Sequence, residues 1–356
     1  RGASGGDPET GDGAGLLLAL PDGFFRRELG ERLPEKGRYG VAMIFGGVGQ
    51  EAAIEEIVRG EGVGVICWRE VPTHPEKIGA KARESCPAIR QLFLDGTGFA
   101  SQEAFERKLY VIRRLIEKRL TDIYICSASS RSIVYKGLLL ATQLEKFYSD
   151  LGDPDFLSPL ALVHQRYSTN TFPTWNLAHP FRYLAHNGEI NTLQSNLTHM
   201  KIREAALSSP LFPSPDALKP VIEEDGSDSS ALDNVLELLT RGGRALPHSL
   251  MMLLPEPFGR AFVMGDNKRA FYDWHAAMME AWDGPSALVF TDGFRRVGAM
   301  LARNALRPGR YSLSREGLLV FASESGVSLA RGNAAQPGTQ RRQLGSRRMF
   351  MVDLIQ

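Results

Sequence analysis

An α+β fold, two sheets built from hairpins with helices outside them in a four-layer αββα sandwich, is what this sequence predicts. Two sets of observations predict it. The first is a pair of hairpins late in the chain: residues 286–290 and 296–300 flank Asp292-Gly293, and residues 311–314 and 318–322 flank Glu316-Gly317. Short alternating apolar runs around a glycine-containing connection favour antiparallel pairing. The second is helical periodicity. Residues 101–120 place Phe105, Leu109, Ile112, Ile116 and Leu120 on one face, residues 190–207 do so through Leu193, Leu197 and Met200, and residues 228–241 through Leu232, Val235, Leu236 and Leu239, stopped by Gly242-Gly243.

Earlier elements follow the same logic. Residues 39–45, 63–68, 91–94 and 123–127 read as strands alternating with helices. This makes residues 39–125 an α/β elaboration, inserted in or peripheral to a core over residues 126–330. The arginines and lysines of the 101–120 helix are expected to form its solvated face. Residues 208–220, rich in Ser and Pro, are the best loop candidate and residues 332–345 the second.

Composition bounds the function. The 356 residues are 43% hydrophobic, with 42 Lys+Arg against 41 Asp+Glu and a net charge of +1. A long-range field that would recruit nucleic acid or an anionic membrane is therefore missing, and the longest apolar runs, such as Leu16 to Leu20, are far too short to span a bilayer. Cys67, Cys86 and Cys126 are odd in number and widely spaced, which argues for structural thiols in a reducing, cytoplasmic compartment rather than a disulfide framework. The seven histidines show no metal-ligand spacing, so no metal is expected.

The chemistry is concentrated in residues 164–196 and around Asp228. Arg166 stands 21 positions before Asn187-Gly188, and Asp228 follows 40 residues after Gly188. Taken singly, Asn187-Gly188 reads as a tight turn, Arg166 as a solvated strand residue and Asp228 as a helix cap. Together they are the parts that hold an amino acid by both charged ends. An arginine fork matches a carboxylate bidentately, which makes Arg166 the candidate for the α-carboxylate with Arg182 next. Asp228, before a helical run, suits an α-ammonium group. The Asn187 amide and the Gly188 N–H suit an oxyanion hole, because glycine lets substrate approach the main chain. A nucleophile is missing from this set.

Residues 164–196 and 225–237, Trp282-Asp283-Gly284-Pro285, and Arg303-Asn304 with Leu306-Arg307-Pro308 resemble the class II glutamine amidotransferase domain of glutamate synthases, over nearly the whole of residues 1–356. The resemblance implies an N-terminal nucleophile hydrolase fold and a glutaminase. An N-terminal cysteine would attack the amide of L-glutamine with its own α-amino group as base, while Arg166 and Asp228 bind substrate and Asn187 and Gly188 form the oxyanion hole. Arg1-Gly2-Ala3 is similar to a family segment a few dozen residues downstream of that cysteine, so the sequence is expected to be truncated at both ends, to lack its nucleophile and to be inactive alone. The resemblance further implies, for the intact protein, glutamate biosynthesis by ammonia assimilation. Ammonia would pass to 2-oxoglutarate in downstream synthase domains of the same chain, an oxidoreductase carrying FMN and an iron–sulfur cluster, with a small NADPH-dependent subunit as a further partner. No cofactor is expected in this segment. Ala302 and Ala305 replace the aspartate and glycine of the family's Leu-Asp-Arg-Asn-Gly-Leu-Arg-Pro.

Two alternatives belong to other functional classes. Gly47 and Gly49, after a strand and before a helix, with Glu70 roughly twenty residues on, partly match a dinucleotide fingerprint and suggest an NAD-binding domain. The arginines at 341, 342, 347 and 348 would suit a non-catalytic interaction module, although such a stretch also reads as a solvated loop.

Overall fold

The computed structural model describes residues 7–165, 172–223, 225–257, 263–302, 307–323, 340–345 and 348–354. All strand pairings among them are antiparallel. One sheet contains β1 (Ala14–Ala19) between β6 (Ser132–Gly137) and β7 (Ala161–His164). A second has the order β3-β4-β2-β5, built from β2 (Tyr39–Gly46), β3 (Gly64–Glu70), β4 (Ile89–Asp95) and β5 (Ile123–Ser129). A third has the order β14-β10-β9-β8, from β8 (Leu184–Gly188), β9 (Ser286–Thr291), β10 (Arg296–Leu301) and β14 (Met349–Asp353). A small sheet pairs β11 (Arg310–Leu313) with β12 (Leu319–Ala322) and β13 (Gln340–Gln343).

Nine α-helices are described: α1 (Asp22–Leu29), α2 (Glu51–Gly60), α3 (Ala80–Glu84), α4 (Gln102–Arg119), α5 (Leu144–Phe147), α6 (Leu193–Glu204), α7 (Asp228–Arg241), α8 (Leu246–Leu253) and α9 (Asp266–Ala276). Strand periodicity explains how the layers meet. On β2, Tyr39, Val41, Met43 and Phe45 enter a core shared with β1 and β6, whereas Ala42 and Ile44 face α2 and α4. Burial on both faces is why this strand reads as one continuous apolar run. A separate core joins Leu184, Leu288, Phe290 and Met300 of the third sheet to α7 and α8.

The chain order β2-α2-β3-β4-α4-β5, with the short α3 between β3 and β4, and that strand order make a split βαβ arrangement. It overturns the nucleotide-binding alternative, which requires neighbouring parallel strands joined by the helix. Here β4 lies antiparallel between β2 and β3, and Glu51 of the glycine segment is paired with Arg90.

A second expectation fails on α4. Its apolar face packs on the sheet as the periodicity predicts, and Ser101 caps it by accepting the Ala104 N–H at 3.2 Å. Its charges are not all solvated, however. Arg113 is 1% and Arg114 5% exposed, and Glu106 is fully buried. Arg113 pairs with Glu117 at 2.5 Å and with Glu237 of α7 at 2.6 Å, and Glu106 pairs with Arg241 at 2.5 Å. Buried charges persist only when paired, and α7 supplies the partners. A third correction concerns residues 332–345: residues 340–343 form the exposed strand β13 rather than a loop, and 332–339 lie outside the described residues.

Candidate functional site

Helix α7 holds β8 at two places. Ser227 is the actual N-cap, its Oγ accepting the Ser230 N–H at 3.1 Å, so the carboxylate of Asp228 is released from the capping role expected of an isolated aspartate. Asp228 instead accepts the Ile190 N–H at 2.9 Å, the Ser229 N–H at 2.7 Å and the Ser229 Oγ–H at 3.1 Å. Further along the helix, the fully buried Asp233 accepts the N–H groups of Arg182 at 3.0 Å, Tyr183 at 2.8 Å and Leu184 at 3.2 Å. The strand that carries Asn187 and Gly188 is thereby anchored before its start and just beyond its end. This brings Asp228 beside Asn187-Gly188.

Asn187-Gly188 is no tight turn. The two residues end β8 and stand opposite Ala287 and Ser286 of β9. Gly188 has φ +131°, and a β-carbon there would run into the Pro285 carbonyl oxygen; one on Gly284 would run into that of Glu189. Glycine is required at both positions because two main chains cross without room for a side chain. The Asn191 N–H donates to the Asp283 carbonyl at 2.8 Å and the Asp283 N–H to Thr192 Oγ1 at 2.9 Å, so residues 282–285 form a brace for residues 188–192. Asn187, half-buried, donates from Nδ2 to Ser323 Oγ at 3.3 Å, and its amide has a second hydrogen to offer.

Two buried histidines, His179 and His186, and the half-buried His164 surround this strand end. His186 Nδ1 lies 2.7 Å from Ser229 Oγ, whose own hydrogen goes to Asp228. That network makes His186 Nδ1 the donor and leaves Nε2 an acceptor with no partner among the described residues. His164 Nε2 donates to the His186 carbonyl at 3.1 Å, and its ring stacks on His179 at 4.4 Å. Burial pushes His164 down to about 4 and His179 well below the usual histidine range. It also lowers His186, against the opposing pull of Asp228. All three are therefore neutral at pH 7. His186 and Ser229 were missed by sequence reasoning, which looked only for metal-ligand spacing.

Of the predicted site residues, Asn187, Gly188 and Asp228 come together, and Arg166 lies outside the described residues. The other arginine candidate is committed elsewhere: Arg182 donates to the Ile125 carbonyl at 2.8 Å and stands 3.4 Å from Glu117, buried beneath the site. Ala302 is buried and donates its N–H to the Ser286 carbonyl at 2.8 Å; Ala305 lies outside the described residues. The cysteines are free thiols, Cys67 on β3, Cys126 on β5 and Cys86 between α3 and β4. Burial raises Cys67, and pushes Cys86 up to about 11 and Cys126 up to about 12, the opposite of what activates a nucleophile. No group of three or more His, Cys, Asp or Glu among the described residues is placed to hold a metal, so an iron–sulfur cluster does not fit them. None of their helices is long and apolar enough to cross a membrane.

The family model of class-II glutamine amidotransferases matches residues 1–356. The chain is 46% identical over 373 residues to the glutamate synthase (NADPH) large chain of Bacillus subtilis, covering 99% of this chain and 24% of that protein. It is 43% identical over 371 residues to the glutamate synthase (NADPH) large chain of Azospirillum brasilense, with 99% and 24% covered. With ferredoxin-dependent glutamate synthase 1, chloroplastic/mitochondrial, of Arabidopsis thaliana it shares 41% over 374 residues, covering 100% and 23%. The chain thus spans about a quarter of the length of the curated relatives it matches.

Proposed function

Because the chain belongs to the class-II glutamine amidotransferases, we propose that the end of β8 is a glutaminase site that releases ammonia from L-glutamine. The observation that carries this reading is the Asp228–Ile190 hydrogen bond, which joins the start of α7 to Asn187-Gly188. Asp228 uses three of the roughly four acceptor positions of a carboxylate, and the remaining one receives the substrate ammonium. Arg166 binds the α-carboxylate; it follows His164, whose ring already touches the β8 main chain. As a thiolate attacks the amide carbon, charge develops on the amide oxygen, and the Asn187 amide with the Gly188 N–H stabilises it. A thioester then forms, ammonia leaves, and water releases glutamate. The attacking thiol is none of the three cysteines of this sequence, whose ionisation burial opposes.

For the whole protein we propose reductive glutamate synthesis. Ammonia passes to 2-oxoglutarate in further domains that carry FMN and an iron–sulfur cluster, with a small NADPH-dependent subunit as electron donor and the cytoplasm as location. The names of two relatives, glutamate synthase (NADPH) large chain, support the glutamate synthesis and its dependence on NADPH. For the fold we propose the four-layer αββα sandwich of N-terminal nucleophile hydrolases. Its support is the pair of facing sheets on either side of the first core, with α2 and α4 outside one, and the packing of α7 and α8 on the third sheet. Residues 39–125, inserted in the sequence between the paired strands β1 and β6, supply the α/β layers on one side of this sandwich.

The test is Arg166→Lys in the full-length protein. Lysine keeps the charge and loses the bidentate fork, so kcat/KM for glutamine should fall by the equivalent of about 1.5–3 kcal/mol. An unchanged kcat/KM would move the carboxylate site away from Arg166.

A further inference from the structure

The far end of α7 borders a cleft of about 350 Å³ into which six arginines converge: Arg107 from α4, Arg131 from the β5–β6 turn, Arg241 and Arg244 from the end of α7, and Arg295 and Arg296 from the start of β10. Three have carboxylate partners: Arg131 pairs with Glu103, Arg241 with Glu106, and Arg295 with Asp353. Asp292, also at the rim, is engaged by the main chain, its Oδ1 accepting the N–H groups of Phe294, Arg295 and Arg296 at 3.3, 2.9 and 2.8 Å. Arg107, Arg244 and Arg296, all half-buried, form no ion pair among the described residues.

A helix C-terminus attracts cations, which accounts for Arg241 and Arg244. It does not account for Arg107 and Arg296, which other elements bring to the same cleft against their mutual repulsion. We propose that the cleft binds a small oxyanion carrying two or more negative charges. Guanidinium groups match phosphate and carboxylate oxygens equally well in bidentate geometry, and the volume lies at the small end of the ligand-pocket range. The site is separate from the glutamine site. A helix of the 14 residues of α7 is about 21 Å long, and the two sites lie at its opposite ends.

Isothermal titration of the full-length protein in low-salt buffer, with pyrophosphate and separately with citrate, tests the proposal. At least one should bind, with affinity reduced tenfold or more in the double variant Arg244→Gln/Arg296→Gln while KM for glutamine stays unchanged. Tighter binding of pyrophosphate assigns a phosphorylated ligand, and tighter binding of citrate a polycarboxylate. Should the double variant not fold, protection of Arg107, Arg244 and Arg296 from phenylglyoxal by the bound anion, mapped by mass spectrometry in the unsubstituted protein, gives the same answer. Absence of binding at millimolar anion, affinity indifferent to the double substitution, or no protection of those arginines would overturn it. Because titration is done without glutamine, its failure leaves the glutaminase reading untouched.

Discussion

Replacing Asp233 with asparagine should change stability by an amount that depends on pH, and the sign can be worked from the contacts. Burial pushes the Asp233 carboxyl up to about 6 from its ordinary 3.8, against the opposing effects of Arg182 and the backbone N–H groups it receives. Between those values the folded protein keeps a proton that the unfolded chain has lost. The stability this contributes is complete below about pH 4 and disappears as pH rises through 6. A shift of about 2 units corresponds to roughly 3 kcal/mol. Asparagine carries no charge, and its single carbonyl oxygen can keep Tyr183 and Leu184, which share Oδ1, but its NH2 group then faces the Arg182 N–H. One buried donor without an acceptor costs about 1–3 kcal/mol. Asp233→Asn should therefore be less stable than the unsubstituted protein near pH 4, and equal to it or more stable above pH 6.5. Urea unfolding of residues 1–356 at several pH values from 4 to 7.5, followed by fluorescence of the buried Trp175 and Trp282, measures the difference. A difference that does not change with pH would refute the reasoning, because it would mean that three N–H donors fully compensate the burial of a carboxylate.

Asn187→Ala in the full-length protein should lower kcat by roughly 10²–10³ with little change in KM, since the bond strengthens only as charge develops; a rise in KM alone would make Asn187 a structural residue. Gly188→Ala forces apart two crossing main chains, so steady-state assays should show a larger loss of activity than Asn187→Ala, accompanied by a lower melting temperature; wild-type activity would show that the crossing yields easily. Asp228→Asn places an NH2 group against either the Ile190 or the Ser229 N–H, and should raise KM while speeding amide exchange at Ile190; a KM effect with unchanged exchange would separate substrate binding from the strand anchor. With Cys86 pushed up to about 11 and Cys126 up to about 12, iodoacetamide at pH 7.5 should leave the buried Cys126 unlabelled and the half-buried Cys86 slow to react, and rapid alkylation of Cys126 seen by mass spectrometry would contradict its burial.

Elements with a single dominant period were legible. Helix α7 runs over the expected Asp228–Arg241 because its apolar spacing and terminal glycine agree, although Ser227 rather than Asp228 caps it, and both expected hairpins pair. What periodicity cannot express is a polar side chain buried against another polar side chain. Arg113 and Arg114 looked like a solvated face because Glu117, on the same helix, suits an ordinary surface pair and nothing local announces Glu223 and Glu237. Strand order was hidden for a related reason: alternating strands and helices suit a parallel sheet and a split βαβ unit equally, and only side-chain fit across the sheet decides. At the site, residue types pointed to Asn187, Gly188 and Asp228. The His186–Ser229–Asp228 chain links residues 42 positions apart through tertiary geometry, and leaves no trace in spacing.

The reciprocal crossing at Gly188 and Gly284 also bears on how the site could be re-engineered. The direction of the Gly188 amide is set by main chain resting on main chain, so the proposed oxyanion donor is insulated from changes in the surrounding side chains. Substitutions at Ser323, the acceptor of the Asn187 amide, would change that side chain's hydrogen bond while the Gly188 amide keeps its aim. Grafting the site onto another scaffold would require transplanting residues 282–285 together with 186–190, since either strip alone arrives without the surface that shapes it.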